Sequence, residues 1–175
     1  MSEHITRICE QRRSIRQYQD KPIPKEILDK VLSNVILCPT AGNQQSYHVY
    51  CITNKDIISK IAHDASGQLW IETAPCVLVF CQDPQRAGDK YGARGHDVFG
   101  IQDATIAQSF ALFAAYEQEL ASCWVGGFSV QKVQEIVNIP EPFEPLGILT
   151  LGFAAAGPRS DRHRREFDEV ISYVE

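Results

Sequence analysis

Arg7, Arg12, Arg13 and Arg16 stand near the start of this chain, and Arg159, Arg162, Arg164 and Arg165 near its end. Between them lie only Arg86 and Arg94. The net charge is −5, so these arginines are not parts of a general basic coat. Guanidinium is a planar fork of N–H donors that grips phosphate in two-pronged fashion. Two such clusters flanking an apolar middle suggest one anionic ligand held by both ends of the chain. The alternative is a pair of solvated charge runs. A second set with chemical capacity is the amide-rich stretch Pro39-Thr40-Ala41-Gly42-Asn43-Gln44-Gln45. Asn43 and Gln45 carry both donors and acceptors, enough to read the edge of a polar ligand or to serve as plain turn and surface residues. His48, His63 and His96 are isolated and read as structural or solvated. No side-chain acid, base or nucleophile stands out, so none is nominated as catalytic.

Positioning these groups falls to an alternation of helices and strands. Ile5, Ile8 and Cys9 recur at helical spacing and lead into Arg12. Pro22 and Pro24 make an elbow, and Ile27, Leu28, Val31, Leu32, Val35 and Ile36 mark one face of a helix stopped by Pro39. Tyr47 to Thr53 reads as a strand, 54–66 as a helix opened by Asn54, and Cys76 to Cys81 as a central strand. Residues 83–96, with Pro84, Gly88, Gly92 and Gly95, read as a polar loop covering a site. A buried helix follows over 98–121, with Ile106, Phe110, Phe113 and Ala114 along one side. Then come a short strand at 123–126, a helix capped by Ser129, and a last core strand from Leu146 to Phe153. The polar tail 154–175 ends in Val170 to Val174, expected as a small strand that pairs with another chain. The class is α+β with a mixed sheet.

Composition narrows the options. Hydrophobic residues make up 44% of 175, enough for the core of a single domain spanning 1–175. The acidic balance argues against nucleic acid as a partner, and the arginine clusters lack interleaved aromatics. Cys9, Cys38, Cys51, Cys76, Cys81 and Cys123 show no CxxC or zinc-ligand spacing, so no metal is expected. Most sit among apolar neighbours and suit a reducing compartment. The N-terminus is polar, with no signal-peptide pattern. The apolar tract around 104–116 is interrupted by Gln108 and Ser109 and is expected not to span a bilayer. A cytoplasmic location with no membrane partner is therefore expected.

Five segments, in order and over nearly the whole chain, resemble the nitroreductase family of flavin enzymes. They are Arg12-Arg13-Ser14-Ile15-Arg16 with Pro22-Ile-Pro24; Pro39 to Gln45 before a strand; Ala74-Pro75 opening an apolar strand; Ser122-Cys123-Trp124-Val125-Gly126-Gly127-Phe128; and Leu151-Gly152-Phe153 followed by Arg164-Arg165 and Glu169-Val170. The resemblance implies FMN bound at a homodimer interface, with both chains contributing to each site and the 154–175 tail packing on the partner. It implies a mainly antiparallel sheet flanked by helices with a long central helix. It implies hydride transfer from NADH or NADPH, then reduction of a planar acceptor such as a nitroaromatic or quinone, the two substrates binding alternately. Arg12, Ser14 and Arg16 would hold the FMN phosphate. Arg164 and Arg165 would close over it, with Arg162 the alternative, while Arg13 would reach ring oxygens or stay solvated. Pro39, Thr40 and Ala41 would lie against the cofactor, and Asn43 and Gln45 would read its ribityl chain and pyrimidine edge. Gln68 would be a further ring contact, and Val125, Gly126 and Gly127 would present backbone N–H to flavin N5. The cofactor carries such electron chemistry, so a missing acid or base is no objection.

Departures from the family pattern are Ser46-Tyr47 after the glutamine, Leu120-Ala121 before the Ser-Cys-Trp segment, Phe153-Ala154 at the end of the last strand, and Ser109 in the long helix. They bear on the shape of the acceptor pocket and leave the phosphate and ring positions in place. Competing readings are an FMN-binding sensor or flavin store without turnover, a flavin-dependent dehalogenase or flavin-cleaving relative, and a domain binding some other phosphate ligand.

Overall fold

The computed structural model describes residues 3–158 and 163–175. Arg159 and Arg162 of the C-terminal cluster lie outside the described residues. Helices α1 (Glu3–Gln11) and α2 (Lys25–Val35) precede strand β1 (Tyr47–Ile52). Helix α3 (Lys55–Lys60) continues as wider turns over Ile61–Ser66, then strand β2 (Cys76–Gln82) follows. Helix α4 (Pro84–Arg94) leads through Gly95–Phe99 into α5 (Gly100–Glu117). Strand β3 (Ala121–Val125), helix α6 (Val130–Val137) and strand β4 (Glu144–Gly152) complete the order.

Among the described residues the strands form one sheet in the order β1-β2-β4-β3, every neighbouring pair antiparallel. The parallel part of the expected mixed sheet is a single bridge between Ser14 and Ser122. Strand β2 is buried at every position. Its alternation explains the unbroken apolar run. Cys76, Leu78 and Phe80 face one core cluster with α2 and α5, while Val77, Val79 and Cys81 face another with α3, Ile71 and α6. Helices thus cover both faces of an antiparallel sheet, so neither face of β2 needs polar residues.

Helix α5 packs on α2, β2 and β4. Its core face consists of Ala104, Ala107, Ala111 and Ala115, all fully buried. Along the Ile106 side, Ala114 is buried, Ile106 and Phe110 are half-buried against the same core cluster, and Phe113 is exposed. Small residues win the inner face because they let the helix axis approach the sheet. At the closest point Gln108 donates from Nε2 to the Ile148 carbonyl at 3.1 Å, and a Cβ on Gly147 would collide with the Gln108 amide. The helical run Pro84–Glu117 contains an 18-residue window of mean hydropathy 1.2, long and apolar enough by length and composition alone to cross a membrane. Half of that window is buried inside the molecule, as in the core helix of a globular domain.

Two expectations are corrected. Residues 83–96 are not a loop but helix α4, started by Asp83, whose carboxylate accepts from the Arg86 N–H at 2.9 Å, and by Pro84 in its first turn. Val170 to Val174 is not a strand. One 3₁₀ turn (Phe167–Glu169) is followed by irregular chain, and residues 163–175 are exposed throughout. Strands β1 and β3 leave free edges on the two sides of the sheet, and within the single chain the tail pairs with neither.

Candidate functional site

The arginine segment is fixed by the sheet. Past α1 the chain runs beside the start of β3 and the end of β4: Ile15 N–H donates to the Ser122 carbonyl at 3.0 Å, and Gln19 N–H to the Phe153 carbonyl at 2.9 Å. The buried Tyr18 hydroxyl donates to the Ile15 carbonyl at 2.7 Å and lies 2.6 Å from Thr150 Oγ1. Burial pushes that phenol well above its ordinary range, so it stays neutral and keeps these bonds. Arg12 and Arg13 line a cavity of about 540 Å³ together with Arg7, Ser122 and, from the start of the tail, Ala154 and Pro158. Arg13 Nη1 donates to the carbonyls of Glu10 and Arg12, at 2.6 and 3.1 Å. Arg16 points elsewhere, its guanidinium 5.7 Å from the centre of the Trp70 ring.

The far end of β3 carries the second group. Val125 is buried, while Gly126 and Gly127 are exposed just beyond it, about 13 Å along the strand from Ser122. A Cβ on Gly126 would meet nothing within 4 Å, and one on Gly127 only the Gln68 amide at 3.7 Å. Gln68 Nε2 donates to the Gly127 carbonyl at 3.0 Å, so two residues that the resemblance assigns to the ring are neighbours. Trp124 keeps 37% of its surface exposed.

The amide loop is the third group, and it is strained. Gly42, Asn43 and Gln45 have φ of 51°, 58° and 53°, a region that glycine and asparagine tolerate and glutamine adopts at a cost. The loop is held from beneath and from one side. Asp103 of α5, 1% exposed, accepts from the N–H groups of Ala41 (2.9 Å) and Ser46 (3.2 Å). Thr40 Oγ1 accepts from Gln45 N–H at 3.0 Å. From α4, Arg86 donates to the Gln44 carbonyl and Lys90 to the Gly42 carbonyl at 3.1 Å, with the Tyr91 hydroxyl against Gly42. Pro39 is exposed and Thr40 and Ala41 half-buried. The Gln45 amide lies 3.3 Å from the Asn43 carbonyl and 3.5 Å from its side-chain oxygen.

Asp103, Arg86 and Lys90 hold the amide loop, and the sequence did not single them out. The signal for Asp103 was a single acid on the buried face of an otherwise apolar helix. For Arg86 and Lys90 it was their one-turn spacing, hidden while the segment was read as a loop.

Of the C-terminal arginines, the described Arg164 and Arg165 do not meet the N-terminal ones within one chain. Neither Arg164 nor Arg165 lines the arginine cavity. Arg164 donates to the His163 carbonyl at 3.1 Å, and Arg165 binds the Glu169 carbonyl at 2.6 Å with its carboxylate at 3.5 Å. The histidines are placed as expected: His63 pairs with Glu72 and His96 with Asp97, each at 2.8 Å, and His48 packs on Tyr50 and Phe143.

These residues fit an elongated anion with a flat head. Guanidiniums and the Ser14 segment sit at one end of β3, and an open glycine ledge beside an amide sits at the other. The nitroreductase family model matches residues 9–83 and 62–153. The chain is 31% identical over 188 residues to the FMN reductase [NAD(P)H] of Bacillus subtilis, covering 100% of this chain and 74% of that one. A nitroreductase family protein of Clostridium difficile 630 superposes with a TM-score of 0.81 at 30% identity, covering 95% of each chain. A nitroreductase family protein from Streptococcus pneumoniae TIGR4 shares the fold at TM-score 0.86 and 18% identity, over 97% of this chain and 100% of that one. The family model covers most of the chain and a relative at 31% identity spans all of it: the chain belongs to the nitroreductase family.

Proposed function

We propose that this protein is an FMN-dependent oxidoreductase that uses NADH or NADPH to reduce a planar acceptor such as a nitroaromatic or quinone, the two substrates binding alternately. The observation that carries the reading is the exposed Gly126-Gly127 ledge with the Gln68 amide beside it, open where a Cβ would sit. Glycine there admits a flat ring against the backbone. When bound, FMN supplies the electron chemistry, accepting hydride from reduced nicotinamide and passing electrons to the acceptor. The chain's own residues bind and orient. Arg12 and Ser14 hold the phosphate end, joined by Arg16 once it swings away from the Trp70 ring, Arg13 reaches ring oxygens or stays solvated, and Thr40, Ala41, Asn43 and Gln45 present amides and backbone along the ligand. Gln68, Val125, Gly126 and Gly127 seat the ring, with Pro39 at its margin. Asp103, Arg86 and Lys90 hold the amide loop in shape.

The working unit is a homodimer in which the tail 154–175 of one protomer packs on the other and brings Arg164 and Arg165 to the phosphate. What supports this is surface: Ile5 is 73% exposed beside Phe110 and Phe113 in an apolar groove of about 390 Å³ between α1 and α5. Phe167, Val170, Ile171 and Val174 of the tail are also exposed. The enzyme acts in the cytoplasm on small molecules. Storage without turnover and dehalogenation are not favoured, since the named relative at 31% identity is a reductase. The test is steady-state oxidation of NADH and NADPH by the FMN-loaded protein with menadione or nitrofurazone. Turnover with parallel-line kinetics is expected, and no oxidation with any acceptor refutes the reading.

A further inference from the structure

Cys51 and Cys76 form a reactive pair that the flavin reading does not use. Cys51 is exposed on edge strand β1, and Cys76 is fully buried at the start of β2. In the β1–β2 register Cys51 lies opposite Leu78, so Cys76 is its diagonal neighbour on the same face of the sheet. Their sulfurs are 3.8 Å apart. The exposure is asymmetric: solvent reaches one sulfur, and the other waits behind it. We propose that Cys51 and Cys76 are a peroxide-responsive dithiol that closes reversibly into an intramolecular disulfide.

The order of events follows from the pair. Hydrogen bonding from Cys76 holds the Cys51 thiol below its ordinary value, against burial and the nearby Asp29 carboxylate, while that same bond and burial push Cys76 far up. Cys51 is therefore the sulfur that ionises first, and thiolate is the nucleophile. It attacks one oxygen of hydrogen peroxide. The O–O bond breaks, Cys51 becomes a sulfenic acid, and the departing hydroxide takes a proton to become water. The Cys76 sulfur then attacks the Cys51 sulfur, the S–O bond breaks, and the Cys76 proton leaves with the hydroxyl as a second water. Two thiols are oxidised by two electrons in total, and one peroxide is reduced to two waters. Closure needs the sulfurs to approach to about 2.05 Å, by side-chain rotation and a small shift of the edge strand. It ties the strand that follows the 39–46 loop to the centre of the sheet. None of this depends on the flavin reading.

The experiment treats the FMN-loaded protein with stoichiometric hydrogen peroxide, quenches it with catalase, alkylates in denaturant and maps peptides without reduction. The expected result is loss of two of the six titratable thiols, a cross-linked peptide joining Cys51 to Cys76, and full recovery with dithiothreitol. Cys51→Ser, a change at an exposed position, is expected to abolish the cross-link and leave Cys76 alkylated. Cys76→Ala is expected to leave a Cys51 sulfenic acid trapped by dimedone. The proposal is overturned if Cys76 stays fully alkylated in the treated parent protein. Stable sulfinic acid at Cys51 as the main product, or a bridge between two chains, overturns it equally.

Discussion

Replacing Asp103 with asparagine changes one atom in a buried position that two backbone donors share. The carboxylate accepts from Ala41 N–H at 2.9 Å and Ser46 N–H at 3.2 Å, with the residue 1% exposed. Asparagine offers one acceptor oxygen and turns an NH₂ toward the second N–H. One charge-assisted bond is lost, worth about 1.5–3 kcal/mol, and a donor is left facing a donor. The loop above has cause to relax, because Asn43 and Gln45 are held at positive φ, which costs about 1–2 kcal/mol per non-glycine residue. If the loop releases locally, the cost falls on ligand binding, and FMN affinity drops by roughly 10- to 150-fold at 1.4 kcal/mol per tenfold. If it does not, the cost falls on global stability. The assays are FMN fluorescence quenching for Kd and urea denaturation of the same preparations without FMN. The two losses together should reach at least about 1.5 kcal/mol. A variant with Kd within twofold of the parent and an unchanged urea midpoint would refute the clamp.

Gly126→Val should fold normally, since its Cβ meets nothing within 4 Å, yet lose FMN binding by at least about tenfold if the ring lies there (1.4 kcal/mol per tenfold); retained FMN affinity would place the ring elsewhere. Arg12→Ala should weaken FMN by about 1.5–3 kcal/mol, and equal affinity by titration would remove Arg12 from the phosphate site. Truncation after Gly157 should shift the protein toward monomer on analytical ultracentrifugation and shed FMN, and an unchanged sedimentation coefficient with unchanged flavin content would count against tail exchange. Stability should fall at alkaline pH. Burial pushes the Cys81 thiol up to about 12 and the Tyr18 phenol higher still. Both keep their protons when folded and lose them when unfolded, so stability is full below about pH 8.5 and declines as pH rises, at up to about 1.4 kcal/mol per unit per group. Urea midpoints that stay flat between pH 8 and 11 would contradict this, and Cys81→Ala should lessen the slope.

Much of the frame was legible because its causes are local. The run Cys76 to Cys81 reads as a central strand since every position is apolar, and both its faces are in fact buried. Asn54 and Ser129 cap the helices they open, accepting from Ile57 and Lys132 backbone N–H groups. Segment 83–96 misled because glycines at 88, 92 and 95 outweighed the Asp83-Pro84 start signal. The structure resolves that conflict by breaking helical geometry at Gly92 alone. The tail differs for another reason: strand propensity in Val170 to Val174 was read as pairing with another chain, and within the single chain it pairs with neither free edge of the sheet. At the site, residue types marked the arginine segment, the amide loop and the glycines. The supports could not be read the same way. Asp103 lies 57 residues from Ser46 in sequence, and only the packing of α5 under the loop brings them together.

The central claim is flavin-dependent turnover of reduced nicotinamide. It is tested most directly by the visible absorption spectrum of the FMN-loaded protein under anaerobic conditions, before and after NADH or NADPH and then a quinone. The account predicts an oxidised-flavin spectrum that bleaches with at least one nucleotide and returns when the quinone is added. A flavin spectrum that neither nucleotide bleaches, or a protein that takes up no FMN, would contradict it.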